Sequence, residues 1–135
     1  MITLWHVLEH IPDLEEKIKE IKSLLTAGGI LVIAVPNYKS YDAQYYKEFW
    51  AAYDVPRHLW HFSQIGIKNL FSDFDFHHFE TKALKFDAFY VSLLSEKYKK
   101  SSSQLFKAFY RGLKSNLKAK QSSEYSSLVY FFKNT

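Results

Sequence analysis

The sequence predicts an α/β protein built on a parallel sheet, and three segments near its start carry that prediction. The run Ile2–Leu8 is mostly apolar and rich in β-branched residues, which is typical of a strand buried on both faces. Apolar residues then recur at helical spacing from Leu14 to Leu25, and a wholly apolar strand follows over Ile30–Val35. Strand, helix and strand within residues 1–37 predict a βαβ unit with a right-handed crossover and parallel strands.

The predicted helix between these strands has its own start and stop signals. Pro12 stands at the first turn, where its missing N–H costs nothing, and Asp13, Glu15 and Glu16 follow where the helix dipole favours acids. The pair Gly28–Gly29 ends the helix and is explained as a C-cap. These signals predict an amphipathic helix of about three turns.

An aromatic segment over residues 38–62 follows the second strand. Open α/β sheets place their ligand loops after the carboxyl ends of parallel strands, so this segment is predicted to cover a ligand. Its aromatic residues are Tyr38, Tyr41, Tyr45, Tyr46, Phe49, Trp50, Tyr53, Trp60 and Phe62.

The remaining residues 63–135 are predicted to hold helices and two more strands. Ser63 is a plausible N-cap for a short helix, a third strand spans 76–86, helices span 89–98 and 103–118, and the last strand spans 128–132. Flexible joints are predicted at 99–103 and 121–123. The 103–118 helix carries a core-like apolar stripe opposite a basic face. The stripe is Leu105, Phe106, Phe109, Tyr110, Leu113 and Leu117, and the basic face is Lys107, Arg111, Lys114 and Lys118.

Composition excludes several classes of protein. The chain has 135 residues and no cysteine, so a disulfide framework and thiolate chemistry are excluded. No apolar run approaches the ~18 residues that span a bilayer, and the start lacks the features of a signal peptide. We therefore expect a cytoplasmic protein with no membrane partner.

Charge is distributed unevenly. Residues 1–96 carry nine Lys and Arg against thirteen Asp and Glu, whereas residues 97–135 carry nine basic residues and only Glu124 as an acid. The basic block around 88–120 suits phosphate or an acidic partner, and a single solvated helix face is the simpler alternative.

Two motifs resemble one enzyme family. The first is Trp5-His6-Val7-Leu8-Glu9-His10-Ile11-Pro12-Asp13 after the first strand, and the second is Pro56-Arg57-His58-Leu59-Trp60-His61-Phe62-Ser63. Together with the element order they resemble the second half of a class I S-adenosylmethionine (SAM)-dependent methyltransferase, of the bacterial type with Leu-Glu-His and Pro-Arg-His-x-x-His-Phe-Ser signatures.

The resemblance implies a fold and a set of cofactor contacts. It places Ile2–Val7 on the fourth strand of a Rossmann-like seven-stranded sheet, so the chain is expected to form strands four to seven with their flanking helices. Trp5, His6 and Val7 would line the methionine part of SAM. The aromatic segment would cover a small-molecule or saccharide-like acceptor that is methylated on oxygen or nitrogen. Its aromatic side chains would also attract the sulfonium cation of SAM and exclude water from the methyl donor.

Two parts of the family pattern are missing from these residues. They are the glycine-rich loop after strand one and the acid after strand two that holds the ribose. The resemblance therefore implies the carboxyl-terminal half of a methyltransferase domain, a truncated product or fragment that binds SAM weakly or not at all alone.

Three residues of the second motif are candidates for catalysis. His58 or His61 could act as the general base for a hydroxyl acceptor, because imidazole titrates near neutral pH. Arg57 could hold a carboxylate or phosphate of the acceptor, or pair with Asp54 or Asp42.

A metal site is a further option in the two motifs. His6, Glu9, His10 and His61 resemble the Glu-x-x-Glu-His…His site of the small-RNA 2′-O-methyltransferases, with His6 in place of the first Glu. Imidazole and carboxylate suit Zn, Mn or Fe. The competing interpretation is that Glu9 and His10 bond the neighbouring loop, and we assign no metal.

Two non-enzymatic functions compete with methyl transfer. The first is nucleic-acid or acidic-partner binding through the basic face over 97–120, although the scarcity of Arg makes nucleic acid the weaker option. The second is an association module, because strand Ile2–Val7 lacks its usual neighbour, strand one. Its free edge predicts a homodimer.

Overall fold

A four-stranded sheet flanked by helices forms the core of the computed structural model, which describes residues 1–100 and 104–135. The strands are β1 (Ile2–Trp5), β2 (Ile30–Pro36), β3 (Phe76–Ala83) and β4 (Ser127–Asn134). The helices are α1 (Leu14–Leu24), α2 (Tyr41–Tyr46), α3 (Gln64–Ser72), α4 (Asp87–Tyr98) and α5 (Gln104–Ser122). Short 3₁₀ turns occupy Leu8–His10, Lys47–Phe49 and Ala51–Tyr53. Within the described ranges, no helix is long and apolar enough to cross a bilayer.

The order of the strands is β1-β2-β4-β3. The first pair is parallel, with Ile2 opposite Leu31, whereas β4 runs antiparallel to both β2 and β3. The last strand of the chain therefore lies between the two strands that precede it. This arrangement confirms the α/β prediction and matches the expected strands four to seven, with an antiparallel final strand.

The larger core lies on one face of the sheet, under α1 and α3. Helix α1 contributes Leu14, Ile18 and Ile21 to this core. Strand β2 is buried along both faces, which is why its sequence shows no alternation. On the opposite face the buried cluster is smaller and consists of Val32, Ala34 and Val129.

The helix ends agree only in part with the signals in the sequence. Asp13 caps α1 by accepting a hydrogen bond from Glu16 N at 3.0 Å, and Ser63 caps α3 by accepting one from Gly66 N at 3.1 Å. Gly28 lies beyond α1 with a φ of +75°, and its N–H donates to Asn134 O at 2.8 Å. The predicted C-cap at Gly28–Gly29 is wrong, because α1 ends at Leu24 with Leu25 as its C-cap. Gly28 instead lies in the turn before β2, where its left-handed conformation favours glycine.

Some boundaries differ from the sequence prediction. Strand β1 ends at Trp5 because His6 adopts a φ of +52°, which turns the chain out of the extended conformation. Strand β3 ends at Ala83, three residues before the predicted end. The predicted joint at 99–103 lies partly outside the described residues, which omit 101–103.

The prediction that the apolar stripe of α5 faces the core is wrong. The buried residues of α5 are small ones, Ala108, Gly112, Ser115 and Ala119, and this small-residue face packs against α4. Gly112 lies so close to α4 that an added Cβ would stand 2.7 Å from Cδ1 of Phe89. Close approach of the two helices thus selects the small face, and the large apolar side chains are left on the surface.

A buried carboxylate joins this helical layer to the sheet. Asp42 on α2 is fully buried and accepts hydrogen bonds from three side chains. The donors are Trp50 Nε1 at 2.8 Å, Ser115 Oγ at 2.7 Å and Ser126 Oγ at 2.7 Å. They lie on the aromatic segment, on α5 and just before β4, so one side chain ties together elements far apart in sequence.

Candidate active site

A cavity of about 370 Å³ lies beyond the carboxyl ends of β1 and β2. Its walls come from the end of β2, the aromatic segment, the start of β4 and one side of α4. Residues lining it include His6, Pro36, Ala52, Asp54, Arg57, His58, Asp87, Tyr90, Val91, Leu94, Tyr98 and Ser127. This is the position at which open α/β sheets bind their ligands.

His6 enters the cavity because of its backbone conformation. A φ of +52° is uncommon for a residue other than glycine, and the His6 N–H is held by Ala34 O at 2.9 Å. The imidazole then lies between two carboxylates, with Nδ1 3.3 Å from Glu9 Oε1 and Nε2 3.0 Å from Asp87 Oδ2. Sparsely populated backbone conformations of this kind concentrate at functional sites.

His58 is the second imidazole of the cavity and its side chain is only 11% exposed. Its Nδ1 lies 2.8 Å from Ala52 O, so this nitrogen donates and the lone pair is left on Nε2. That Nε2 stands 4.0 Å from Glu9 Oε1 and 3.8 Å from Asp54 Oδ2. The backbone orients the ring and leaves one nitrogen free to accept a proton.

Glu9 connects the two motifs. Its backbone oxygen accepts from Leu59 N at 2.8 Å and from Trp60 N at 3.3 Å. These bonds fasten the segment around His58 to the turn after β1. The Glu9 side chain is 1% exposed, and its Oε2 has no hydrogen-bond partner within the described parts of the chain.

A comparison with models of known protein families shows to which family this chain belongs. Residues 1–80, more than half of the sequence, match the family model of a methyltransferase domain. This chain belongs to the methyltransferase domain family. The match covers both motifs and the βαβ unit, and it confirms the class I methyltransferase resemblance. No curated protein matches the sequence.

Within this methyltransferase domain, the predicted site residues fall into two groups. His6, Arg57 and His58 line the cavity. Trp5 and Val7, which were expected to line the cofactor, are exposed beside the free edge of β1 and do not line it. His61 also lies outside the cavity, with its Nε2 3.0 Å from Tyr53 O.

Arg57 pairs with Asp54, one of the two partners considered from the sequence. The guanidinium Nε lies 3.1 Å from Asp54 Oδ1, and this carboxylate raises the pKa of the arginine further above its ordinary value. Asp42, the other candidate, is instead buried on α2, where it binds Trp50, Ser115 and Ser126. The Arg57 side chain is 72% exposed at the cavity mouth, where it is accessible to an anionic group of an acceptor.

Helix α4 supplies site residues that sequence reasoning missed. Asp87, Tyr90, Val91 and Leu94 line the cavity, although the sequence predicted only a helix there. Asp87 lies 81 residues from its partner His6, and no local sequence pattern predicts that contact. Only the path of the chain from β3 back over the strand ends brings these residues to the site.

The described residues that could hold a metal differ from the optional set considered from the sequence, for which no metal was assigned. Glu9, His10 and His58 each offer a ligand atom, and these three atoms lie within 4.8 Å of one another. Nδ1 of His10 lies 3.0 Å from Arg57 O, an anchoring bond of the kind that often orients ligand imidazoles. His6 is instead held by Glu9 and Asp87, and His61 lies near Tyr53.

The contacts of His6 predict a pH-dependent contribution to stability. The hydrogen bond to Asp87, followed by that to Glu9, raises the pKa of His6 from 6.5 to about 9. Because this pKa is raised on folding, the stabilisation is complete below pH 6.5 and disappears as the pH rises through about 9. The exposure of the ring moderates its size.

We expect Asp87→Asn to return the His6 pKa towards its ordinary value, because the largest cause of its elevation is removed. NMR titration of the His6 Cε1 proton measures this directly. Asp73→Asn, at an exposed acid after α3, is the matched control and should leave the His6 titration unchanged. A His6 that titrates near pH 6.5 in the unaltered protein would contradict the contact with Asp87.

Proposed function

We propose that this domain performs SAM-dependent methyl transfer to an oxygen or nitrogen of a small-molecule or saccharide-like acceptor. The observation that carries the proposal is the oriented imidazole of His58 in the cavity at the strand ends. Its Nδ1–H is held by Ala52 O, so Nε2 is available as a general base. Family membership supports the same reaction class.

The composition of the cavity suits this reaction. SAM, when bound, supplies an electrophilic methyl group on a sulfonium cation, and the rings of Tyr90 and Tyr98 suit a positive charge. His6, with Trp5 and Val7 beside the free edge of β1, would contact the methionine end. Residues of the aromatic segment would cover the acceptor and exclude water.

The proton has a defined path in this proposal. The acceptor oxygen would form its bond to the methyl carbon as the sulfur–methyl bond of the sulfonium breaks and leaves a neutral thioether. The hydroxyl proton would pass to Nε2 of His58, whose ring the Ala52 carbonyl keeps oriented. Arg57 at the cavity mouth would bind an anionic group of the acceptor. Methyl transfer proceeds in line, so positioning supplies much of the rate enhancement. His61 would act on the acceptor only if its ring left Tyr53 O.

These 135 residues lack the glycine-rich loop that would bring backbone N–H groups to the cofactor. Gly28 and Gly29 lie in the turn between α1 and β2, Gly66 lies in α3 and Gly112 in α5, so none forms such a loop. The proposed cavity therefore contacts only part of SAM. We expect weak binding by this chain and no substantial turnover.

Titration with SAM, followed by two-dimensional NMR, tests the proposed function. We expect binding in the millimolar range, with shifts confined to residues around the cavity such as His6, His58 and Tyr90. Adenosine, which lacks the methionine part and the sulfonium, is the control ligand and should leave these signals unchanged.

Two outcomes of the SAM titration would contradict parts of the proposed function. No shift at the cavity with SAM near its solubility limit would refute the cofactor assignment. Micromolar binding would instead show that these residues form a complete pocket, and the expectation of a partial site would be wrong.

The free edge of β1 supports a further proposal, homodimerisation. Among the described residues β1 pairs only with β2, and Trp5 beside that edge is half exposed. An unpaired edge of this kind is a template for another strand.

A further inference from the structure

The outer surface of α5 is unusual for a protein exposed to water. Six large apolar side chains of this helix are solvent-exposed, with exposed fractions from 42% to 85%. They form the α5 apolar surface, which consists of Leu105, Phe106, Phe109, Tyr110, Leu113 and Leu117. A continuous patch of this type marks an interaction site.

Cations adjoin this apolar surface. Lys107, Arg111, Lys114 and Lys118 follow one another at helical spacing on the next face, and residues 104–122 contain no Asp or Glu. Tyrosine rings of α2 form cation–π contacts with several of these basic side chains. The Arg111 guanidinium lies 3.8 Å from the centre of the Tyr45 ring, and Nζ of Lys118 lies 5.0 Å from the centre of the Tyr41 ring. The helix therefore presents apolar and cationic faces side by side.

A second cavity, of about 490 Å³, joins the two faces. Its lining contains the cations Lys99, Lys107 and Arg111, and it also contains Phe106 of the α5 apolar surface. The acid in this cavity is Glu96, which is buried and accepts a hydrogen bond from the Tyr46 hydroxyl at 2.9 Å. The cavity has the charge and size to receive a phosphate group.

The apolar and basic faces of α5 together indicate which class of partner fits this surface. A second copy of the chain would bring two cationic faces towards each other. A nucleic acid would satisfy the cations but leave Leu105, Leu113 and Leu117 in water. An anionic bilayer matches both faces, because apolar side chains enter the acyl boundary while Lys and Arg meet phosphate headgroups.

We propose that α5 lies flat on an anionic lipid surface, with its apolar surface in the bilayer interface and its basic face on the headgroups. This is contact with one leaflet, which a helix of this composition makes without crossing the bilayer. It replaces the expectation from the sequence that the protein has no membrane partner. The tight packing of α5 on α4 would hold the whole domain at that surface.

Co-sedimentation with vesicles tests the proposal. We expect the protein to bind vesicles of equal parts phosphatidylglycerol and phosphatidylcholine, to bind pure phosphatidylcholine at least tenfold more weakly, and to lose affinity as salt is raised. Absence of binding to the anionic vesicles, or equal binding to both compositions, would overturn the proposal.

Two pairs of variants separate the apolar and cationic contributions. Phe106→Ser with Phe109→Ser should weaken vesicle binding at least tenfold, since each removes an aromatic side chain from the interface. Lys114→Gln with Lys118→Gln should weaken it about 25-fold. The matched controls are Ile65→Ser with Phe79→Ser and Lys19→Gln with Lys82→Gln, which alter exposed residues elsewhere.

Competing partners give different results in the same set of variants. Self-association in light scattering that Phe106→Ser with Phe109→Ser abolishes, without vesicle binding, would identify a second copy as the partner and refute the lipid proposal. Binding to an oligonucleotide but not to anionic vesicles would refute it in favour of nucleic acid. Circular dichroism checks that each variant is folded, as expected for changes at exposed positions.

Discussion

Replacing Asp42 by alanine is expected to lower the free energy of unfolding by about 3–5 kcal/mol, a large fraction of the stability of a domain of this size. The carboxylate is fully buried and accepts three side-chain hydrogen bonds, from Trp50, Ser115 and Ser126. Its removal leaves three buried donors without partners and a cavity between α2, α5 and the start of β4. Each unsatisfied buried donor costs about 1–3 kcal/mol.

Urea unfolding of the purified protein measures this loss. Asp73→Ala, at an exposed position after α3, is the control for loss of an acid and should change stability by less than about 0.5 kcal/mol. Asp42→Asn should give an intermediate loss, because its amide keeps one accepting oxygen. Equal stability of Asp42→Ala and the unaltered protein would show that Asp42 does not join the helical layer to the sheet.

The second large effect is expected at Gly112, where substitution by alanine should destabilise the protein by about 1–3 kcal/mol. The added Cβ would stand 2.7 Å from Cδ1 and 3.0 Å from Cα of Phe89. The phenyl ring can rotate, but the backbone contact can be relieved only if α4 and α5 move apart. That movement would also stretch the bond from Ser115 to Asp42.

The same substitution at Gly66 is the matched control and should have the opposite sign. Gly66 lies in α3, and the nearest atom to its added Cβ is Ser63 Oγ at 3.2 Å, the end of a short side chain. Alanine exceeds glycine in helix propensity by up to about 1 kcal/mol, so Gly66→Ala should be neutral or stabilising. Thermal unfolding of both variants compares them, and a stabilised Gly112→Ala would contradict the close packing of α4 on α5.

The first 37 residues could be understood from the sequence because their local patterns agree with their tertiary environment. Strand β2 is uniformly apolar because both of its faces are buried, and α1 is amphipathic because one of its faces packs on the sheet. Ser63 caps α3 as predicted, because a cap depends on nearby backbone groups. Asp13 is the N-cap of α1 and not a residue of its first turn, and Leu25 forms the C-cap that was predicted at Gly28–Gly29.

Helix α5 shows where this reasoning fails. Its apolar periodicity has the same form as that of α1, yet the apolar side chains are exposed and a row of small residues is buried. Periodicity identifies an amphipathic helix but does not state which of two faces contacts the protein. The distance between α4 and α5 decides that, and Gly112 sets the distance.

The sequence also predicted the residues of the candidate site only in part. Sequence motifs identified His6, Arg57 and His58, all of which line the cavity, and the family match accounts for their presence. They also suggested Trp5, Val7 and His61, which do not line the cavity. Trp5 and Val7 are exposed, and Nε2 of His61 lies 3.0 Å from Tyr53 O. The site roles of all six residues remain predictions.

The sequence alone determined the class of fold, the βαβ unit, the Ser63 cap and the methyltransferase family, because these depend on residues close together in the chain. The tertiary structure decided which residues meet across long separations. The contacts of His6 with Asp87, of Asp42 with Ser115 and Ser126, and of α5 with α4 all arise from the return of the chain over the strand ends. Such contacts depend on the relative positions of packed elements, and local hydrophobic patterns do not encode those positions.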